Sequence, residues 1–430
     1  HNFTKKLSRT SACKDGLQSK FCLVLGLQWG REGKRKLLNK LCVDYDYSCR
    51  FNGGILSEPN ILPNGEEIMI LPAGIQYSNK TKSIIGNGVV LDAGVLLDDL
   101  NALNNNGIEY KNRLFISSRA HLVTTLHKKV AARLREIRND TIWINGEDVA
   151  MAFKPMKMGL RVALLAEQNF AWGDFQEKYE RVMRTFQQLF RVDLSSEEIA
   201  EDLDTLRQLQ EMLKSDALVQ DTVVMLNQKI NEGKRILVED CSSSSMDIDY
   251  GIYPYTDSFH TTTGQVCTGL GVPEEAIETT IGVFSCTSII RKAFLNRIKQ
   301  FPTQIHQGDK EYELIRKKLE SEYSITEDKY AFGWLDLNLL QHAHTLNKLS
   351  SLFMTELDVL DDLEQIKICN GYKFGETQVK GVLPPLITEF SQHDPLYKVI
   401  KGWKNPSKDG KQEGGIGEIE KFEDLPVNAQ

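Results

Sequence analysis

Short apolar runs, each too brief for a helix, recur between longer stretches of helical period, and this alternation constrains the fold more than any other feature of the 430 residues. The first run, Phe21-Cys-Leu-Val-Leu-Gly-Leu27, leads into a Gly- and Lys-rich turn, after which Leu37, Leu38, Leu41 and Cys42 fall at helical spacing. That order reads as strand, phosphate-type loop, helix. Similar runs stand at 68–71, 83–85, 114–116, 236–238, 281–284 and 366–369. Strands that are apolar throughout are buried on both faces, so the pattern predicts an α/β fold with a mostly parallel central sheet flanked by helices.

From 172 to 233 the period is helical, with Phe175, Tyr179, Val182, Met183, Phe186, Leu189 and Phe190 on one face. Ser195 stands three residues before Glu198, the spacing of a capping box, and Ile199, Leu203, Leu206, Leu209 and Leu213 continue a second stripe. Both stripes read as core. Cys241-Ser-Ser-Ser-Ser245 and 406–417 read as loops of low complexity. No Pro- or Ser-rich linker divides 21–430, so that range is expected to be one large domain behind an N-terminal extension over 1–20.

A net charge of −7 leaves no basic imprint, so neither nucleic acid nor a membrane surface is expected as a partner. No apolar segment of signal-peptide or membrane-span length follows His1. The eight cysteines form no C-x-x-C pair and no zinc-like spacing, which reads as reduced core thiols and a cytoplasmic location. His342 and His344 lie two apart on a helical pattern and face different sides, so they read as unrelated rather than as metal ligands.

The first loop, Gly26-Leu-Gln-Trp-Gly-Arg-Glu-Gly-Lys-Arg-Lys36, does not fit the Walker pattern, because its glycine spacing differs and no Ser or Thr follows Lys34. It resembles the opening loop of adenylosuccinate synthetases, Trp-Gly-Asp-Glu-Gly-Lys-Gly-Lys. The resemblance continues in order through Arg50-Phe-Asn-Gly-Gly54, Ile85-Gly-Asn-Gly-Val-Val90, Gly159-Leu-Arg-Val162, Tyr253-Pro-Tyr255, Gly333-Trp-Leu-Asp-Leu337 and Leu357-Asp-Val-Leu-Asp361.

What this resemblance implies is a homodimeric ligase of AMP biosynthesis that joins IMP to L-aspartate with GTP hydrolysis and magnesium. In that family an aspartate of the first loop takes the purine proton and holds the metal, and a histidine of the second loop helps to move phosphate onto the purine oxygen. Gly30, Glu32, Gly33, Lys34 and Lys36 are the implied phosphate contacts, and Asp358 the implied guanine contact.

The departures fall on the chemistry. The family's aspartate position holds Arg31 and its histidine position Pro59, while the implied metal positions are Arg31 and Glu58. A guanidinium stays protonated at any usable pH, so Arg31 can neither accept a proton nor ligate magnesium, and Pro59 has no proton to give. The purine-contacting amide becomes Ser242, and a phosphate-contacting threonine becomes Asp257. Where the family carries an arginine cluster for aspartate, this chain carries Asp328 and Tyr330. The lysine that packs over guanine becomes Glu356. The family's terminal Gly-Pro-containing segment is not found before Asn428-Ala-Gln430.

Two readings of function follow. One is a silent homologue that retains nucleotide binding or assembly, as a homodimer or as a heterodimer with an active relative, with GTP or IMP as the implied ligands and no cofactor assigned. The other is an active synthetase whose catalytic groups come from elsewhere. The basic loop residues Arg31, Lys34, Arg35 and Lys36, with the amides around Gly30 and Gly33, leave anion binding open in either reading.

Overall fold

Each fully apolar run needs neighbours on both faces, and most of them find these in one eight-stranded sheet. Its strands in chain order are β1 (Phe21–Gly26), β2 (Tyr47–Arg50), β3 (Lys82–Ile85), β4 (Leu114–Ser117), β5 (Val219–Gln220), β6 (Ile236–Ser243), β7 (Thr279–Ser285) and β8 (Ser351–Thr355). They lie in the order β5-β4-β3-β2-β6-β1-β7-β8, and every neighbouring pair is parallel. The computed structural model describes residues 19–56, 59–138, 144–166, 171–292, 300–403 and 422–430. The extension before residue 19 and the tail at 406–417 lie outside the described residues.

Because the strands are parallel, their carboxyl ends share one edge. That edge carries the loops that leave β1, β2, β6, β7 and β8, and ligands of open α/β sheets bind in this kind of crevice. β1 is central, with β6 on one side and β7 on the other.

The helices form as the period requires. α1 (Lys34–Leu41) buries Leu37, Leu38 and Leu41 against the sheet. α2 (Gly146–Phe153), α3 (Trp172–Phe190) and α4 (Ser196–Ser215) enclose the largest apolar core, in which the Phe153 and Phe186 rings stand 4.4 Å apart. The Ser195 hydroxyl accepts from Glu198 N at 3.1 Å and the Glu198 carboxylate accepts from Ser195 N at 3.0 Å, which completes the capping box of α4.

Three expectations are corrected. The run at 68–71 is not a strand of the main sheet: only Glu67–Ile68 is extended, paired antiparallel with Asn60–Ile61. The amides of Met69, Ile70 and Leu71 donate to the Asp99 carboxylate instead, so a side chain replaces the ladder. The run at 366–369 belongs to a second, mixed sheet, where Gln365–Phe374 pairs parallel with Tyr330–Asp336 and antiparallel with Asp394–Lys401. The serine run is not a loose loop either. Residues 241–243 finish β6 in the interior, and Ser243, Ser244 and Ser245 donate to the Glu32 carboxylate, Gly26 O and Leu27 O.

Among the described residues the cysteines are free thiols, and no helix is long and apolar enough to cross a membrane.

Candidate active site

The first loop is held rigidly at the end of β1. Glu32 is buried, and one of its carboxylate oxygens accepts from Gln28 N at 2.8 Å, Gly30 N at 3.0 Å and the Ser243 hydroxyl at 2.5 Å. The Gln28 side chain clamps the end of β7, donating to Ser285 O and accepting from Ser285 N. Gly33 closes the loop in the left-handed region at φ 68°, where a side chain would be strained, and opens α1. Lys34 is also buried. Its ammonium donates to Ser242 O at 2.5 Å and to the other Glu32 oxygen at 3.3 Å, and so braces the loop from within.

Arg31 stands on the outer side of this turn. Its guanidinium lies 5.2 Å from the centre of the Tyr330 ring, a cation–π contact, and borders a cavity of about 480 Å³. Gly30, Pro59, Ser242, Asp257 and Tyr330 line the same cavity. The structure thus gathers Arg31, Pro59, Ser242, Asp257 and Tyr330, residues singled out in the sequence, around one cavity. Asp328 is not among the lining residues and sits in the turn before the strand Tyr330–Asp336. Glu58 lies outside the described residues.

Charge in the cavity is mixed. Arg31 and Arg291 contribute guanidinium groups; Glu67, Glu147, Asp148 and Asp257 contribute carboxyls. Burial pushes Glu147 up to about 8, against a hydrogen bond from Ile55 N that favours its ionised form. Burial likewise pushes Asp257 up to about 7, with Asp148 and Asp240 adding to the rise, while the Ser242 hydrogen bond and Arg291 oppose it. Asp148 is raised chiefly by burial as well, although Asn145 N donates to it in the capping box of α2. Burial therefore favours the protonated form of Glu147 toward neutral pH, and a phosphate dianion beside these carboxyls would be repelled only by those that ionised.

Sequence reasoning missed Glu147, Asp148 and Arg291. The Asn145 and Asp148 pair carries a capping-box spacing that locates the start of α2, yet nothing in that spacing says what the helix end faces.

A magnesium ion does not fit at Arg31. The first-loop position that would ligate it is a guanidinium already placed over Tyr330, which offers no oxygen and would repel the cation.

The other flank of the loop faces the end of β8. Thr355 donates to Glu32 O at 2.7 Å, and the buried Glu356 carboxylate accepts from Ser285 Oγ at 2.5 Å. Asp358 accepts from the Tyr323 hydroxyl at 2.5 Å, and the Lys36 ammonium lies 4.0 Å from the centre of the Tyr323 ring. Lys36 and Asp358 therefore meet through Tyr323, while Glu356, two residues before Asp358, is held by Ser285.

Comparison with known proteins places this arrangement. The family model described as Adenylosuccinate synthetase matches residues 23–430. Adenylosuccinate synthetase of Paramecium tetraurelia is 33% identical over 428 residues, covering 98% of this chain and 93% of that protein. The Komagataella phaffii enzyme of the same name is 33% identical over 421 residues, covering 95% and 92%. The structure of fully ligated adenylosuccinate synthetase from Plasmodium falciparum superposes with a TM-score of 0.82 at 24% identity, covering 96% of this chain and 93% of that one, a likeness of fold. A sequence match running from β1 through the cavity-lining segments to the last residue makes this chain a member of the adenylosuccinate synthetase family of purine biosynthesis.

Proposed function

We propose that the chain is a catalytically silent member of this family, kept for binding or assembly rather than for joining IMP to aspartate. The observation that carries the reading is Arg31: a permanent cation, stacked on Tyr330, at the loop position where the chemistry needs a base and a metal ligand. Pro59 in the same cavity supplies no acid. Loss of one general acid or base lowers a rate by about 10²–10⁴, and losing both together with the metal leaves little above background. Assembly as a dimer, with itself or with an active relative, belongs to the same proposal and is supported by the preserved scaffold.

The test is a turnover assay of the purified chain with GTP, IMP, L-aspartate and Mg²⁺, following phosphate release and adenylosuccinate formation. Background rates are expected. Turnover at about 1 s⁻¹ or faster, the range of ordinary enzymes, would return the chain to the active class.

A further inference from the structure

We propose that the cavity takes an amino acid with a cationic side chain, its carboxylate against Arg31 and Arg291 and its side-chain ammonium among Glu147, Asp148 and Asp257. This deepens the reading of a site kept for binding and rests on it only for the absence of turnover.

Opposite charges border this cavity without closing on one another. Arg31 lies over the Tyr330 ring, and Arg291 is the register partner of Tyr330 in the antiparallel pair that Thr287–Arg291 makes with Tyr330–Asp336. The carboxyls come from another part of the fold. Glu147 and Asp148 lie in the first turn of α2, where a Cβ on Gly54 would collide with the Glu147 carboxyl, so this acid is pressed onto the loop after β2. Among the described residues neither guanidinium makes a hydrogen bond or an ion pair, and none of these three carboxyls is in an ion pair with a cation.

Hydrogen-bonding groups are left over at the same place. Trp29 borders the cavity and is only 7% exposed, yet its indole N–H has no partner. The Arg31 Nε–H and Asp257 Oδ2 are likewise buried atoms without one. Buried polar groups of folded proteins are normally paired, so two leftover donors and a leftover acceptor around one cavity mark a ligand that both accepts and donates. A dicarboxylate would set an anion against the acids, and a diamine would set a cation against the guanidiniums. A molecule with a carboxylate at one end and an ammonium at the other meets its complement at both.

Binding of this kind also moves protons. Glu147, pushed up to about 8, faces Ile55 N, Arg50, Asp148, Asp257 and Cys241. Asp257, pushed up to about 7, faces Ser242, Asp148, Asp240, Cys241 and Arg291. An ammonium set beside these two acids favours their ionised forms, so binding releases protons and tightens as pH rises from about 6 to about 8.

The probe is L-lysine, titrated calorimetrically into the purified chain at pH 8 in buffers of different ionisation heat. A single site with a Kd below about 1 mM and a release of protons is expected. L-Norleucine, which lacks the ammonium, 1,5-diaminopentane, which lacks the carboxylate, and L-aspartate are each expected to bind about tenfold more weakly or worse. R291A and the double variant E147Q/D257N should each weaken L-lysine about tenfold, and the double variant should also lose the proton release. Arg291 is exposed, so R291A keeps the test open if the double variant unfolds in a thermal melt. Equal affinity for the four compounds, unchanged affinity in the folded variants, or no binding of L-lysine overturns the proposal. None of these results bears on turnover, so the silent-enzyme reading stands or falls separately.

Discussion

At the scale of single residues, the cavity carboxyls make a sharp statement about pH. Glu147 and Asp257 are raised in the folded chain to about 8 and about 7, whereas an unfolded chain releases these protons near the ordinary carboxylate range. Between the two ranges the folded state holds more protons than the unfolded one, so stability falls as pH rises from about 5 to about 8. Removing either carboxylate removes part of that slope. E147Q and D257N are each expected to raise Tm at pH 8, by an amount corresponding to roughly 1–2 kcal/mol after allowance for partial exposure, and to change little at pH 5. Thermal melts across that range measure it; a variant with an unchanged slope would show that the carboxyl is not strained by burial. The identities of Arg31 and Pro59 could be read from sequence, because Arg31 interrupts a loop that otherwise matches and Pro59 follows the matching Arg50-Phe-Asn-Gly-Gly54 at a fixed count. The roles of Glu147 and Asp148 could not, since what raises them is a cavity assembled from segments far apart in the chain.

At the scale of elements, local rules were enough wherever partners are local. The capping box of α4 spans four residues, and both of its hydrogen bonds form as the spacing implies. S195A is expected to cost about 1 kcal/mol, seen as a lower urea midpoint, and a Gly in its place only a few tenths. An unchanged midpoint would mean that the Lys129–Glu198 ion pair, and not the cap, holds that helix start. Where partners are remote, the pattern misled. The amides at 69–71 are satisfied by Asp99, about thirty residues on, so an apolar run that reads as a strand is not one. The serine run reads as loop because its acceptors, Gly26 O, Leu27 O and Glu32, are more than two hundred residues away. Once those bonds exist, the hydroxyls are satisfied and the segment can be buried as the end of a central strand.

At the scale of the whole molecule, the parallel sheet was legible from the alternation of apolar runs and helical stripes, and its order was not. That order matters to function because it sets β1 between β6 and β7, so that the first loop, the serine segment and the Ser285–Thr287 turn meet at one edge. Family membership then accounts for the scaffold, while the contents of the cavity account for its proposed silence. The two are separable: glycines such as Gly88, where a Cβ would collide with Phe51 O, keep the backbone close-packed whatever the catalytic positions hold. The central claim is electrostatic, and a crystal structure determined with GTP, IMP and Mg²⁺ present tests it most directly. The account predicts that the Arg31 guanidinium stays over Tyr330 with no magnesium ordered beside it. A hexacoordinate magnesium at that position, bridging the GTP phosphates with IMP in the cavity, would contradict it.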